Sequence, residues 1–205
     1  MNIFNEDGLI DSDVQDILYE LGNVGLGMAS VTIGRMLGVR LQIGVPKVVQ
    51  ATDVVPKDIE AYKDKVLIVM RFQKSMSGYM VVFLKKEFAG VVVEKLTSRC
   101  EDVDEEDKKS AFAEFGNFVC AAYLKAVGQY TGIRFYVKPV ECCMDISDKF
   151  PGRKPECWDK ISKRAICVDA GFNIKQEDKT VLEDVGNIIM LPFEESVEAL
   201  IEPLL

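Results

Sequence analysis

The stretch Glu20-Leu21-Gly22-Asn23 recurs 94 residues later as Glu114-Phe115-Gly116-Asn117. The same displacement maps Gly34 onto Gly128, Gly38 onto Gly132 and Arg40 onto Arg134. The chain is therefore an internal duplication. Because the repeat keeps a carboxylate and an amide three residues apart, and not apolar positions alone, it indicates two copies of a site.

The duplication predicts the fold class. The repeats run from about residue 11 to 98 and from about 104 to 203, and copies of this size bury more surface in a shared core than apart. We therefore expect one domain over residues 1–205 with an α+β fold and an approximate twofold axis. We further expect a largely antiparallel shared sheet and two motif helices on the surface.

Hydrophobic periodicity gives each half the same order of elements. In the first half, a helix begins at the capping cluster 11–13 and is ended or broken by Gly34 and Gly38. The further first-half predictions are a strand over 39–49 interrupted at Pro46, a polar connection over 53–65, strands over 66–72 and 79–84, and a helix over 87–96. The second-half predictions are a helix over 108–127, strands over 133–144, 163–171 and 187–191, and a helix from Glu194.

Charge and composition exclude several classes of partner. The net charge is −8, from 33 acidic and 25 basic residues, so the surface as a whole repels nucleic-acid backbones and anionic lipid. No apolar run approaches the roughly 20 residues of a membrane span, and residues 1–7 lack the pattern of a signal peptide. We expect a cytoplasmic protein that binds neither nucleic acid nor membrane.

Missing residue types exclude several chemistries. The chain has no histidine, which removes Ser-His and Cys-His nucleophile pairs, histidine-liganded zinc and imidazole acid–base catalysis. Its six cysteines form no Cys-x-x-Cys pair and are expected to be reduced thiols. A zinc site is therefore not expected.

The repeated residues form one stripe on each motif helix. At 100° per residue, Asp16, Glu20 and Asn23 fall within about 60° of one another, with Gly27 between them one turn further on. The second stripe consists of Ser110, Glu114, Asn117 and Ala121. Any amphipathic helix has a polar face, but repetition of the same pair in both copies favours a site.

Three features leave alternatives open. Gly22 and Gly25 either admit a partner or pack closely within the fold, and the helical pattern around them argues against a nucleotide-binding loop. The acidic run 101–107 is either a recognition tail or a linker that caps the second helix, and the helix dipole favours the cap. The insertion 147–160, which contains Trp158, either contacts a partner or is a solvated loop anchored by its tryptophan.

The pattern Asp16-x-x-x-Glu20-x-x-Asn23, followed after 22 residues by Pro46, resembles the CheC family of chemotaxis phosphatases. Its second copy, Ser110-x-x-x-Glu114-x-x-Asn117, is followed after 21 residues by Pro139. Because two copies share one chain that ends at Leu205 without an appended flagellar-switch domain, the chain resembles the CheC type within the CheC/CheX/FliY family.

The resemblance implies hydrolysis of the aspartyl phosphate of CheY, the chemotaxis response regulator. Asn23 and Asn117 would orient the attacking water, Glu20 and Glu114 would anchor the partner by pairing with its lysine, and Asp16 and Ser110 would support the motif. Mg²⁺ would belong to CheY, so the chain would need no cofactor of its own. The family also implies the receptor deamidase CheD as a possible partner.

Two other functions compete with this one. A non-catalytic module could use the same fold to dock CheY or CheD, although such a scaffold has no need of an amide at the same position in both copies. A small-molecule hydrolase would need a histidine base, a nucleophile motif or a metal site, and the sequence offers none of these.

Overall fold

The computed structural model describes residues 3–5, 7–50, 64–97, 102–140, 142–145, 166–176 and 179–204. The first half comprises α1 (Ser12–Leu37), β1 (Arg40–Ile43), β2 (Lys47–Gln50), β3 (Lys65–Lys74), β4 (Gly78–Lys85) and α2 (Lys86–Leu96). The second half comprises α3 (Glu105–Thr131), β5 (Phe135–Val137), β6 (Cys142–Asp145), β7 (Ile166–Gln176), β8 (Lys179–Pro192) and α4 (Glu194–Ile201), followed by a 3₁₀ turn (Glu202–Leu204).

The described strands form one antiparallel sheet in which the halves exchange strands. Its order is β1-β7-β8-β4-β3-β5, with β2 also paired to β7 and β6 also paired to β3. The strands that follow α1 therefore pair with a strand of the second half, and those that follow α3 pair with a strand of the first. The predicted α+β fold with a shared antiparallel sheet is confirmed.

The pseudo-twofold axis passes between β4 and β8. These central strands are antiparallel neighbours, with Val82 opposite Ile188. Equivalent glycines flank this pair, because a Cβ at Gly78 would meet the Phe72 ring and a Cβ at Gly186 would meet the Phe172 ring. The same local packing therefore recurs on the two sides of the axis.

The core lies between the sheet and the helices. Apolar side chains from α1, α2, α3 and α4 join those of one sheet face in a single cluster. Inside it, the Phe88 ring meets the Phe115 and Phe172 rings edge-on at 6.3 and 5.6 Å between centroids. Because the cluster draws on both halves, one hydrophobic core positions both motif helices.

Helix boundaries agree with the capping signals. The Asp11 carboxylate accepts a hydrogen bond from the Asp13 amide at 3.0 Å and begins α1. Asp104 and Asp107 form a reciprocal capping box at the start of α3, which confirms the capping role of the acidic run within residues 102–107. Gly38 and Gly132 follow the two helices in the left-handed conformation, at φ 66° and 75°.

Some predicted boundaries were wrong. The helix predicted over 108–127 extends over Glu105–Thr131, because the acidic residues before it form its first turn. The single strand predicted over 133–144 is two short strands, β5 and β6. The first half likewise has two short strands, β1 and β2, on either side of Pro46. The last two strands form a longer hairpin than predicted, since residues 172–176 and 179–186 also pair. The connection predicted over 53–65 lies outside the described residues up to residue 63, and Lys65 already belongs to β3. The insertion 147–160 and the residues Cys100 and Cys157 also lie outside the described residues.

Within the described ranges, no helix is both long enough and apolar enough to cross a bilayer.

Close contact between α1 and α3 explains Gly25. A Cβ at this position would lie 2.6 Å from Cζ of Tyr123, whose side chain is buried. The Tyr123 hydroxyl is also buried and has no hydrogen-bond partner among the described residues. Gly25 therefore serves helix packing, which settles the alternative left open for it.

We expect Gly25→Ala to lower the free energy of unfolding by about 1–2 kcal/mol. Alanine favours the helix, but the destabilisation caused by displacing the Tyr123 ring is larger than this gain. Gly27→Ala is the matched control on the same helix, since nothing lies within 4 Å of a Cβ there. It should stabilise the fold by roughly 0.5–1 kcal/mol. Urea unfolding of both variants checks the pair, and equal shifts would contradict this account of the helix contact.

Candidate functional site

Both stripes lie on the outer surface of the motif helices. All six polar residues are exposed: Asp16, Glu20, Asn23, Ser110, Glu114 and Asn117. Their apolar neighbours Leu21 and Phe115 are completely buried. The prediction that the Glu–Asn pairs face solvent on the surface of the fold is confirmed.

The glycine within each motif seats its helix on the sheet. A Cβ at Gly22 would lie 2.6 Å from Cγ1 of Val168, and a Cβ at Gly116 would lie 2.6 Å from Cγ2 of Ile68. Each motif helix therefore packs against a strand of the opposite half. Because Asn23 and Asn117 directly follow these glycines, close backbone packing fixes the place from which each amide projects.

The proline of the motif has a packing role in the first copy. Pro46 is buried, and its ring atoms come within 3.1–3.4 Å of a Cβ built at Gly22. In the second copy Pro139 is exposed, and Val140 contributes the atom 3.5 Å from the corresponding Cβ at Gly116. The shorter second spacing thus replaces one apolar contact by another without moving the Glu–Asn pair off the surface.

Each site offers a carboxylate beside an amide. Residues three apart on a helix are surface neighbours, with Cβ atoms about 5–6 Å apart. One partner could therefore contact the Glu20 carboxylate and the Asn23 amide together, and likewise Glu114 and Asn117. A carboxylate accepts hydrogen bonds from cations, whereas an amide both donates and accepts and can hold a water in a chosen orientation.

Two buried groups among the described residues, the thiol of Cys120 and the hydroxyl of Tyr123, are unsuited to chemistry. Cys120 is a free, buried thiol, and burial raises its pKa to about 12, so it stays protonated at neutral pH. Burial likewise raises the pKa of the Tyr123 hydroxyl. Within the described ranges no three acidic or cysteine side chains are placed to hold a metal ion. The exposed Glu–Asn pairs are the candidate chemical groups because they recur in both repeats.

Phe118 is a feature of the site that sequence reasoning missed. It directly follows Asn117 and is 51% exposed. Helical periodicity places it about 40° from Glu114, beside the polar stripe, and this angle is the signal in the sequence that indicates its exposure. At the equivalent position of the first repeat, Val24 is half-buried.

Known proteins resemble this chain over nearly its whole length. No protein-family model matches the chain. It is 25% identical over 207 residues to the CheY-P phosphatase CheC of Bacillus subtilis, which covers 98% of this chain and 96% of the relative. Its fold resembles that of FliY from Thermotoga maritima, with a TM-score of 0.66 and 16% identity over 95% of this chain and 96% of the other.

Two further solved structures share the fold. The CheX chain in the CheX-CheY-BeF3-Mg complex of Borrelia burgdorferi matches with a TM-score of 0.54 and 18% identity, over 86% of this chain and 98% of the other. The FliM middle domain of H. pylori matches with a TM-score of 0.63 and 7% identity, over 95% of this chain and 99% of the other.

The likeness to CheC extends over nearly the whole chain. The shared fold covers the sheet and the helices that carry the Glu–Asn motifs. The chain is thus similar over nearly its whole length to a CheC protein, and its fold is the one found in FliY and in the CheX-CheY-BeF3-Mg complex.

Proposed function

We propose that this protein is a phosphatase that hydrolyses the aspartyl phosphate of the chemotaxis response regulator CheY. The observation that carries the proposal is the exposed Glu–Asn pair, which recurs at the same helix position in both repeats. The naming of the Bacillus relative as a CheY-P phosphatase supports it. Two sites on one chain would then act on two regulator molecules.

The reaction demands little of the protein. An acyl phosphate is already activated, and its hydrolysis passes through a loose transition state that needs little general-base assistance. The water oxygen bonds to phosphorus while the bond from phosphorus to the aspartate oxygen breaks, and the water proton passes to the released phosphate. The missing element is a water held in line with the leaving carboxylate, and the Asn23 or Asn117 amide would hold it.

The glutamates would anchor the regulator. Glu20 and Glu114 each present an exposed carboxylate one turn from the asparagine, at a suitable place to pair with a lysine beside the phosphorylated aspartate. Asp16 and Ser110, one turn further toward the helix start, would support the edge of each contact. We assign Mg²⁺ to the regulator; the presence of Mg in the CheX-CheY-BeF3-Mg complex supports a metal in the assembled site.

The same proposal extends to setting and partners. We place the protein in the cytoplasm as one domain over residues 1–205 with repeats near 11–98 and 104–203. CheD is proposed as a second partner on the family resemblance alone.

A docking module is the second candidate function. The observation in its favour is the FliM middle domain, which shares this fold over nearly the whole chain. Such a module would bind the regulator without accelerating loss of its phosphoryl group. Repetition of the amide in both copies favours the phosphatase, because charge pairing alone does not require it.

The two sites should be separable, because one helix stripe supplies every proposed group of each site. We expect Glu20→Ala with Asn23→Ala to leave hydrolysis at the second site, and Glu114→Ala with Asn117→Ala to leave hydrolysis at the first. The measurement is decay of phosphorylated CheY with each variant. Complete loss from both pair variants would contradict independent sites, and no loss from either would contradict this location of the activity.

A further inference from the structure

We propose that Phe118 determines how the second site binds its partner, by acting as an apolar anchor for the regulator surface around the phosphorylated aspartate. This inference rests on the proposed function and assigns an additional residue to the second site. Phe118 would bind the regulator and take no part in the reaction itself.

The position of Phe118 joins it to the Glu–Asn pair. It follows Asn117 directly, and it lies one helical turn after Glu114, about 40° from it around α3. Because Phe118 lies on the side of Glu114 that faces away from Asn117, a partner that contacts both polar side chains and extends past Glu114 would also cover the aromatic ring. Because the ring is 51% exposed, that contact would remove a large apolar surface from water.

The two repeats differ at this contact. In the first stripe Asp16 and Glu20 supply two exposed carboxylates, and the half-buried Val24 stands where the second repeat has Phe118. In the second stripe Ser110 replaces the first carboxylate, which leaves Glu114 as its acidic group. At these two positions the second stripe thus has one carboxylate fewer and a larger exposed apolar side chain.

This difference has a physical consequence for binding. Interface energy concentrates in aromatic anchors that exclude water from neighbouring polar contacts, whereas exposed charge pairs are screened by salt. We therefore infer that the first site binds the regulator chiefly through charge and the second through the Phe118 ring. Binding at the second site should be the less sensitive to ionic strength.

The test uses the full chain with the first site removed by Glu20→Ala and Asn23→Ala. In that background, Phe118→Ala should raise KM for phosphorylated CheY about tenfold while kcat changes less than about twofold. Phe118→Leu, which keeps an apolar side chain, should recover part of the affinity. Direct binding to CheY carrying beryllofluoride, a non-hydrolysable phosphoryl mimic, should weaken in parallel.

Tyr130→Ala is the matched control. Tyr130 is 53% exposed on the same helix but lies about 140° from Asn117, so its loss should change neither KM nor binding. Equal effects of the Phe118 and Tyr130 variants, or no binding of the mimic once the first site is removed, would overturn the assignment. Absence of hydrolysis by the unmodified protein, with mimic binding still dependent on Phe118, would instead contradict the phosphatase proposal alone.

Discussion

Replacing both asparagines, Asn23→Ala with Asn117→Ala, is expected to lower hydrolysis of phosphorylated CheY by about 100-fold or more. The amide is the group proposed to hold water in line, and loss of such positioning removes a catalytic effect without removing the binding surface. Affinity for CheY carrying beryllofluoride should therefore stay within about threefold of the unmodified value. Both quantities can be measured on one protein preparation.

The control replaces two amides that lie outside the stripes. Gln15 on α1 and Gln129 on α3 are exposed, and each is at least about 80° around its helix from the asparagine. Gln15→Ala with Gln129→Ala should leave hydrolysis unchanged. Undiminished hydrolysis in the double asparagine variant would contradict the water-positioning role and favour the docking module.

Removing both anchoring carboxylates, Glu20→Ala with Glu114→Ala, should weaken binding as well as hydrolysis. A charge-assisted contact contributes about 1.5–3 kcal/mol, so we expect an affinity loss on the order of 10- to 100-fold at low ionic strength. The loss should shrink as salt is added, because exposed charges are screened. Titration of the beryllofluoride-bound regulator at several salt concentrations measures the effect.

Net charge must be matched in this comparison. Glu94→Ala with Glu198→Ala removes two exposed carboxylates from α2 and α4, the helices that carry neither stripe. The control should change binding little at any salt concentration. An equal loss in both double variants would mean that overall charge, rather than a specific contact, attracts the regulator.

The fold was largely predictable because the duplication constrains both repeats at once. Each motif helix carries the same polar pair and ends at an equivalent glycine. The position of each helix in the sequence is therefore indicated both by its own pattern and by that of the other repeat. The exchange of strands between the halves was not predictable in this way, because the sequence pattern of β1 does not specify whether its partner strand is β3 or β7. Long-range pairing is decided by how α1 and α3 pack on the sheet, which no local pattern contains.

The site was predictable to the level of exposure. Glu20, Asn23, Glu114 and Asn117 were placed on the surface by helical periodicity, and the structure agrees. The sequence left open whether Gly22 admits a partner or packs within the fold. The close contact of Gly22 with Val168 decides for packing, and it could not be predicted because it joins residues from opposite halves. The position of Phe118 beside Glu114 also follows from helical periodicity, so its exposure was predictable from the sequence as well.

Decay of phosphorylated CheY in the presence of substoichiometric amounts of this protein tests the central claim most directly. The phosphatase account predicts that each molecule of the protein removes many phosphoryl groups, so decay accelerates in proportion to its concentration above the spontaneous rate. Spontaneous decay that is unchanged by the protein, with binding of the beryllofluoride-bound regulator still detected, would contradict the account.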